Sequence, residues 1–422
     1  MLLWKASKTM ENFIKAGTGK KIGIFVCFNH AHIGGAMTSL INFLNALDTD
    51  KYDVDVMFYE NDPGNRYGIK EEIRILPQGK QHRSMSASNL IKKAINPLYL
   101  IALVRGGYYK KVKHNKEKAV QIMSQQGYKY SRKISREYDA AVAYDVGWCM
   151  NYVINRVNAA RKILWQHLES EKAGMDLRID GKCYERADAL AFVSTKCMED
   201  YLLRRPEHRQ KSWFIPNLLS TGYVRGRGEE NVRMPFENPD AYLKLITVAR
   251  VKFGHKGFDR GVDAFAQLKK DGLLDRVKWI IVGDGRDLPE LRKRIHEEGL
   301  ESVIYPIGAR DNPIPYLKEC DVFFLPSRYE GKPMAVTEAL IMGLVPVVTE
   351  YASAREQIRH GTDGLVFPNS RDGIYRGLTR LFSEPDVLEE MKRNIAAQDY
   401  GNEKEISAFD AMLEQVLQSG GN

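Results

Sequence analysis

The stretch 328–343, RYEGKPMAVTEALIMG, carries two carboxylates, Glu330 and Glu338, eight positions apart around a lysine, a proline and a run of small residues. It follows DVFFLPS, an apolar run that reads as a buried strand emptying into a loop. Pro333 is placed for the first turn of a helix and Gly343 for its stop. The backbone amides of residues 331 to 335 other than Pro333, which has no N–H, and so including those of Gly331, Met334 and Ala335, are then free donors at a helix start, which suits phosphate. Two carboxylates at the same end are not there to bind phosphate. A carboxylate can accept two hydrogen bonds from a vicinal diol. Glu338 lies about one and a half turns inside the helix, so the group is arranged for a molecule with both phosphates and sugar hydroxyls.

A second stretch, VARVKFGHKGFDRGVDAF, puts Arg250 at a strand end and Lys256 six residues later in a glycine-flanked loop. A forked guanidinium and a compact ammonium can hold a diphosphate and neutralise a leaving group, although the spacing alone says little. IIVGDG offers Gly283 and Gly285 after a strand, as a tight turn or as a close approach to a nucleotide. Gly34 and Gly35 follow the first strand and open the first helix, where bare backbone can approach a diphosphate or sugar. His167, at the end of the strand in LWQHLE, is either a site residue or a satisfied structural histidine. His30 and His32 bracket Ala31 in the first loop and read as acceptor contacts or plain surface, since zinc would need further ligands. Asp145, after AVAY, is a candidate acceptor-side base.

These residues need elements to hold them. KKIGIFVCF, YDVDVMFYE, YDAAVAY, ARKILWQHL and ALAFVS are strand candidates with helical stretches between them, and WFIPNLLS closes that half. The pattern restarts with LKLITVAR, a helix over 259–270, VKWIIVGDG, a helix over 288–298, SVIYPIG, DVFFLP, a helix from 333, VPVVTE and GLVF. Apolar strands alternating with helices predict an α/β chain with two Rossmann-like, doubly wound parallel sheets. The expected domains are 20–218, a linker over 219–240, 241–402, and a C-terminal helix over 403–420 that packs back on the first domain. A cleft between the carboxyl ends of the two sheets is the expected ligand site.

The 422 residues, 44% apolar and 28% charged, describe a globular chain rather than a disordered or fibrous one. The longest apolar run, INPLYLIALV, is well short of the roughly 18 residues of a membrane span. Five scattered cysteines without paired spacing read as free thiols in a reducing cytoplasm. The net charge of +9 is concentrated in residues 80–136, where fourteen Lys and Arg meet one acid, Glu117. Interleaved with NPLYLIALV and a Tyr pair, that segment suits an anionic membrane surface better than nucleic acid, for which no reading motif is present. An ordinary solvated face is the plainer alternative.

The second half resembles glycosyltransferase family 4, whose members have the GT-B fold of two facing Rossmann-like domains. The likeness rests on VARVKFGHKGFD, IIVGDGRDLPEL, VIYPIG, DVFFLPSRYEGKPMAVTEALIMGLVPVVTE and GTDGLVF, and more loosely on GKKIGIFVCFNHAHIGGAMTSLINFLNAL, KILWQH and FIPN in the first half. The resemblance implies that Arg250 and Lys256 hold the donor diphosphate, Glu338 the ribose hydroxyls, and Glu330 and His167 the donor sugar. Gly283 then lies near the nucleotide. The chain departs from many relatives at Lys332 and Pro333, where they carry an aromatic residue and a glycine. The implied enzyme is a retaining glycosyltransferase of bacterial surface polysaccharide synthesis. Its expected donor is a nucleotide-diphosphate sugar, UDP-sugar foremost, and its acceptor a lipid-linked saccharide bound by the first domain. No cofactor and no metal are expected, because DTD (48–50) and DVD (53–55) lie away from the cleft or within a strand. The expected location is cytoplasmic, peripheral at the inner face of the plasma membrane. A nucleotide-sugar epimerase and a non-catalytic sugar-nucleotide-binding accessory protein are the alternatives.

Overall fold

The computed structural model describes residues 21–29, 35–59, 68–76, 96–131, 133–167, 175–351 and 353–419. Gly34, His30, His32 and the first part of the basic segment (80–95) lie outside the described residues. The chain divides into two compact units, Met1–Leu218 with Glu403–Asn422, and Leu219–Asn402.

In the first unit seven parallel strands run β1 (Ile22–Phe28), β2 (Tyr52–Phe58), β3 (Arg74–Ile75), β4 (Glu137–Ala143), β5 (Asn158–Gln166), β6 (Ala189–Phe192) and β7 (Ser212–Phe214), in the order β3-β2-β1-β4-β5-β6-β7. Every residue of β1 is buried, as a strand covered on both faces requires. The terminal helix Ile406–Gln418 belongs to this unit, where Phe409 meets the Phe43 ring edge-on at 4.9 Å and Asp410 accepts from the Tyr52 hydroxyl at 2.8 Å. Asp53 and Asp55 of the DVD pair are taken up by arginines: Arg74 Nε lies 2.7 Å and Arg136 Nη1 2.9 Å from Asp55, and Arg74 reaches Asp53 at 2.8 Å.

The second unit has six parallel strands, β8 (Leu243–Val248), β9 (Val277–Val282), β10 (Ile304–Gly308), β11 (Val322–Leu325), β12 (Val345–Thr349) and β13 (Leu365–Phe367), in the order β10-β9-β8-β11-β12-β13. In both sheets the winding reverses beside the first strand, between β1 and β4 and between β8 and β11. The carboxyl edge at such a switch point is where open α/β sheets take ligands.

Two expectations need correction. The stretch 219–240 is not a polar linker, because it forms the helix Thr221–Arg227 and buries Leu219, Val224 and Met234 in the core of the second unit. Three well-spaced apolar side chains outweighed its glycines and charges. Pro333 is not in the first helical turn either. It caps the helix Met334–Ile341 in an extended conformation, φ −68° and ψ 118°.

Candidate active site

The loops after β8 and β11 meet at the switch point of the second unit. The short helix Phe253–Lys256 ends on Gly257 at φ +66°, where a Cβ atom would lie 2.1 Å from the Pro326 carbonyl oxygen. Only a bare backbone allows that approach. Arg328 ties the loops further: its amide donates to the His255 carbonyl at 2.7 Å and its guanidinium forks onto Asp259 at 2.8 and 2.7 Å. Arg260, buried, donates to the Pro326 carbonyl and to Asn369 Oδ1, both at 2.8 Å.

The result is a buried ion pair. Lys256 Nζ lies 2.6 Å from Glu330 Oε1, and Ser327 Oγ donates to the same oxygen at 2.5 Å. His255 Nε2 sits 3.5 Å from the other oxygen, its ring stacked on Tyr329 at 4.3 Å. Burial alone would raise the Glu330 pKa, but the Lys256 ammonium and His255 prevail and hold it at about 2. Glu330 is therefore a carboxylate across the working pH range. Arg250, two residues past β8, is exposed, and its side chain has no partner among the described residues.

Glu338 lies in the helix Met334–Ile341 and is also buried, yet its carboxyl has no hydrogen-bond partner among the described residues. Burial pushes its pKa up to about 7, with the Arg227 charge pulling the other way. Arg227 comes from the stretch expected to be a linker, whose helix packs against this one. The Met334 and Ala335 amides likewise have no partner among the described residues, as first-turn amides should. Ser353 Oγ donates to the Gly331 carbonyl, and Gln357 Nε2 to that of Pro333 at 3.2 Å, so this turn is braced from the side. Gly283 has a packing reason to be glycine: a Cβ there would lie 2.0 Å from the Ala249 carbonyl oxygen.

The first unit places its candidates at its own switch point. Asn29, just past β1, donates to Asp145 at 2.8 Å and to the Val146 carbonyl at 2.6 Å, while its Oδ1 accepts from the Cys149 amide at 3.2 Å. His167, half-buried after β5, donates from Nε2 to the Tyr144 carbonyl at 2.9 Å and lies 5.0 Å from that ring. Burial lowers its pKa, with Asp145 partly offsetting, so the imidazole is neutral. Tyr144 OH donates to Ser39 Oγ at 2.8 Å, which donates to Asn217 Oδ1 at 2.8 Å. Gly35 opens the helix Gly35–Ala46 and is exposed.

The structure thus joins Lys256 to Glu330, sets Glu338 and the first-turn amides on the adjoining helix, and places Arg250 just past the neighbouring strand. His167, Asp145 and Gly35 belong to the other unit. Sequence reasoning missed Ser327, His255 and Asn29. His255 adjoins Lys256 and Ser327 lies three positions before Glu330, which was a usable signal; an asparagine at a strand end has none.

Residues 229–398, nearly all of the second unit, match the family described as Glycosyl transferases group 1. A Haemophilus influenzae protein named as an uncharacterized glycosyltransferase is 25% identical over 405 residues, covering 93% of this chain and 100% of the relative. The Campylobacter jejuni N,N'-diacetylbacillosaminyl-diphospho-undecaprenol alpha-1,3-N-acetylgalactosaminyltransferase is 34% identical over 165 residues, 38% of this chain and 41% of that one. The crystal structure of Anabaena Alr3699/HepE in complex with UDP-glucose aligns with a TM-score of 0.62 at 13% identity, covering 94% of this chain and 99% of that one. That last likeness carries the fold alone. The chain thus has two Rossmann-like units of the GT-B kind, and its second unit is similar to the group 1 glycosyl transferases.

Proposed function

We propose that this glycosyltransferase moves a sugar, with retention of anomeric configuration, from a nucleotide-diphosphate sugar to a lipid-linked saccharide in surface polysaccharide synthesis. UDP-sugar is the foremost donor class. The observation that carries the reading is the buried Lys256–Glu330 pair beside first-turn amides and an Arg250 guanidinium that have no partner among the described residues.

The bond between the sugar C1 and the diphosphate oxygen breaks as the acceptor hydroxyl oxygen bonds C1 from the same face. The acceptor's proton passes to the departing phosphate oxygen, so no separate acid–base pair is required. Arg250, Lys256 and the amides of Met334 and Ala335 take up the charge that develops on that diphosphate. Glu330, ionised and held by Ser327 and Lys256, accepts from a donor-sugar hydroxyl. Glu338 accepts from the ribose diol, which supplies the hydrogen bonds its carboxyl otherwise lacks. His167 of the first unit contacts the donor sugar in this reading, and that unit binds the acceptor. The Campylobacter jejuni relative is named for an acceptor on diphospho-undecaprenol, which supports a lipid-linked acceptor here. The enzyme then works in the cytoplasm at the inner face of the plasma membrane, with the basic segment 80–136 against anionic lipid.

Incubation with labelled UDP-sugars, with and without an undecaprenyl-diphosphate-linked saccharide, tests the reading. Label should enter the lipid fraction only with acceptor, as an α-linkage from an α-donor. Isomerised donor without acceptor points to an epimerase instead, and tight binding without turnover to an accessory protein.

A further inference from the structure

The helix Pro97–Lys111 is turned inside out relative to an ordinary surface helix. Tyr99, Ala102, Gly106 and Tyr109, spaced three and four apart, form its inner stripe. Gly106 lets it lie close to the helix Lys116–Gly127, since a Cβ there would already meet the Met123 side chain at 3.1 Å. The opposite stripe should be polar. It is instead Leu100, Ile101, Val104 and Tyr108, all exposed, with Val104 at the centre 75% exposed. Most of the large hydrophobic side chains that the described residues expose lie on this helix or just beyond it.

The charges around the stripe are of one sign. Arg105, Lys110, Lys111 and Lys113 surround it, and no acid occurs between residues 97 and 116. The helix Asn96 cap accepts from the Leu98 and Tyr99 amides, so its start is built rather than frayed. Its 15 residues span roughly 22 Å at 1.5 Å each, too short to cross a hydrocarbon core of about 30 Å. An apolar stripe edged only by cations, on a helix too short to span, matches the interface of an anionic bilayer, with aliphatic groups below the head groups and lysines among them.

We propose that this helix docks the enzyme on anionic phospholipid by inserting Leu100, Ile101 and Val104 while Arg105, Lys110, Lys111 and Lys113 meet the head groups. The inference deepens the proposed membrane contact of the basic segment: it names the inserting element and adds an apolar part to what charge alone would give. Binding then has two separable parts, one weakened by salt and one not.

Sedimentation with vesicles of phosphatidylglycerol and phosphatidylethanolamine, against phosphatidylcholine alone, tests this. Wild-type protein should bind the anionic vesicles and retain part of that binding at high salt. Ile101→Glu with Val104→Glu should reduce binding about tenfold or more without lowering the melting temperature, because both positions are exposed. Lys110→Glu with Lys111→Glu should remove mainly the salt-sensitive part. Val104→Trp should show a blue-shifted emission on anionic vesicles only. Unaltered binding by the Ile101/Val104 variant overturns the proposal, as does wild-type binding that high salt abolishes completely. A wild-type dimer in light scattering that this variant makes monomeric also overturns it, because a second copy then covers the stripe. Donor binding, followed by thermal shift with UDP-sugar, should be equal in all variants; a failure there strikes the transferase reading and leaves the docking result standing.

Discussion

The two sheets reverse their winding at equivalent places and furnish the two edges in opposite ways. At the β8/β11 edge the groups are charged: Lys256 on Glu330, Arg328 on Asp259, and Arg250 without a partner among the described residues. Among the described residues of the β1/β4 edge the hydrogen bonds are mostly neutral: Asn29 on Asp145, their one formal charge, a neutral His167 on the Tyr144 carbonyl, and the Tyr144 hydroxyl on Ser39 and Ser39 on Asn217. A fixed charge costs desolvation energy wherever it is buried, so a fold keeps one only where a partner or ligand offsets it. The charged edge is thus the one suited to a diphosphate, and the neutral edge the one suited to an uncharged hydroxyl nucleophile.

The widest separation between the edges should appear on removing a cation. Lys256→Ala and Arg250→Ala should each lower kcat/KM by about 10²–10³, the cost of one preorganised charge on a leaving group. The two should differ in stability. Lys256→Ala leaves the Glu330 charge buried without its ammonium partner, with only Ser327 and His255 beside it, at a cost of about 3 kcal/mol, whereas Arg250→Ala removes an exposed side chain and should melt like wild type. Equal losses of stability would mean that Arg250 has a structural role instead.

Next in size is the close backbone approach at Gly257 that joins the loops of the charged edge. Gly257→Ala puts a Cβ against the Pro326 carbonyl oxygen at φ +66°, so the loops must part and Lys256 must leave Glu330. A loss of about 2–4 kcal/mol in urea unfolding is expected, with donor affinity falling alongside it. A stable variant with weakened donor binding would show that the loops separate freely and that the Gly257 approach serves alignment alone.

How far these features were legible in the sequence follows from what each depends on. Strand runs such as IGIFVCF and WIIVGDG are visible because sheets covered on both faces need unbroken apolar residues, and the helix over 258–270 falls within one residue of its expected start. Glu330, Glu338, Arg250 and Lys256 stood out through their spacing and their likeness to a known family. The stretch 219–240 misled because three buried side chains among many polar ones leave no periodicity to detect. The Lys256–Glu330 contact joins residues 74 positions apart, and no local pattern reports such a pairing. Nor could spacing show that two glutamates of one segment sit in opposite electrostatic settings.

That contrast gives the next prediction, within the charged edge itself. Glu338 titrates at about 7 in the folded chain against an ordinary 4.5. Between those values the unfolded chain releases its proton while the folded chain keeps it, so stability falls as pH rises through that window and stays lower above it. The penalty is on the order of 3 kcal/mol. Glu338→Gln should therefore match wild type near pH 4 and melt about 2–6 °C higher at pH 8. Its affinity for UDP-sugar at pH 8 should nevertheless be about tenfold weaker, because a carboxylate accepts from both ribose hydroxyls and an amide oxygen serves them less well. Glu330, held at about 2, should show the reverse: its contribution is present above 4.5 and lost only as pH falls from there toward 2. A Glu338→Gln variant that melts lower at every pH would place an unseen cation beside Glu338 and end the contrast.

The smallest effect belongs to the neutral edge. His167 donates one hydrogen bond to the Tyr144 carbonyl, and its pKa lies below the ordinary 6.5 because it is buried. As pH falls from 6.5 the unfolded chain takes up a proton before the folded one does, so stability contributed by the neutral ring is lost on the acid side. His167→Gln keeps an N–H donor but cannot be protonated. It should remove that acid slope from the melting curve and lower kcat about fivefold, near the 1 kcal/mol of one neutral hydrogen bond, with donor affinity unchanged beyond about twofold. A loss on the scale of Lys256→Ala would mean that this edge, too, stabilises charge in the transition state, and the division of labour between the edges would have to be given up.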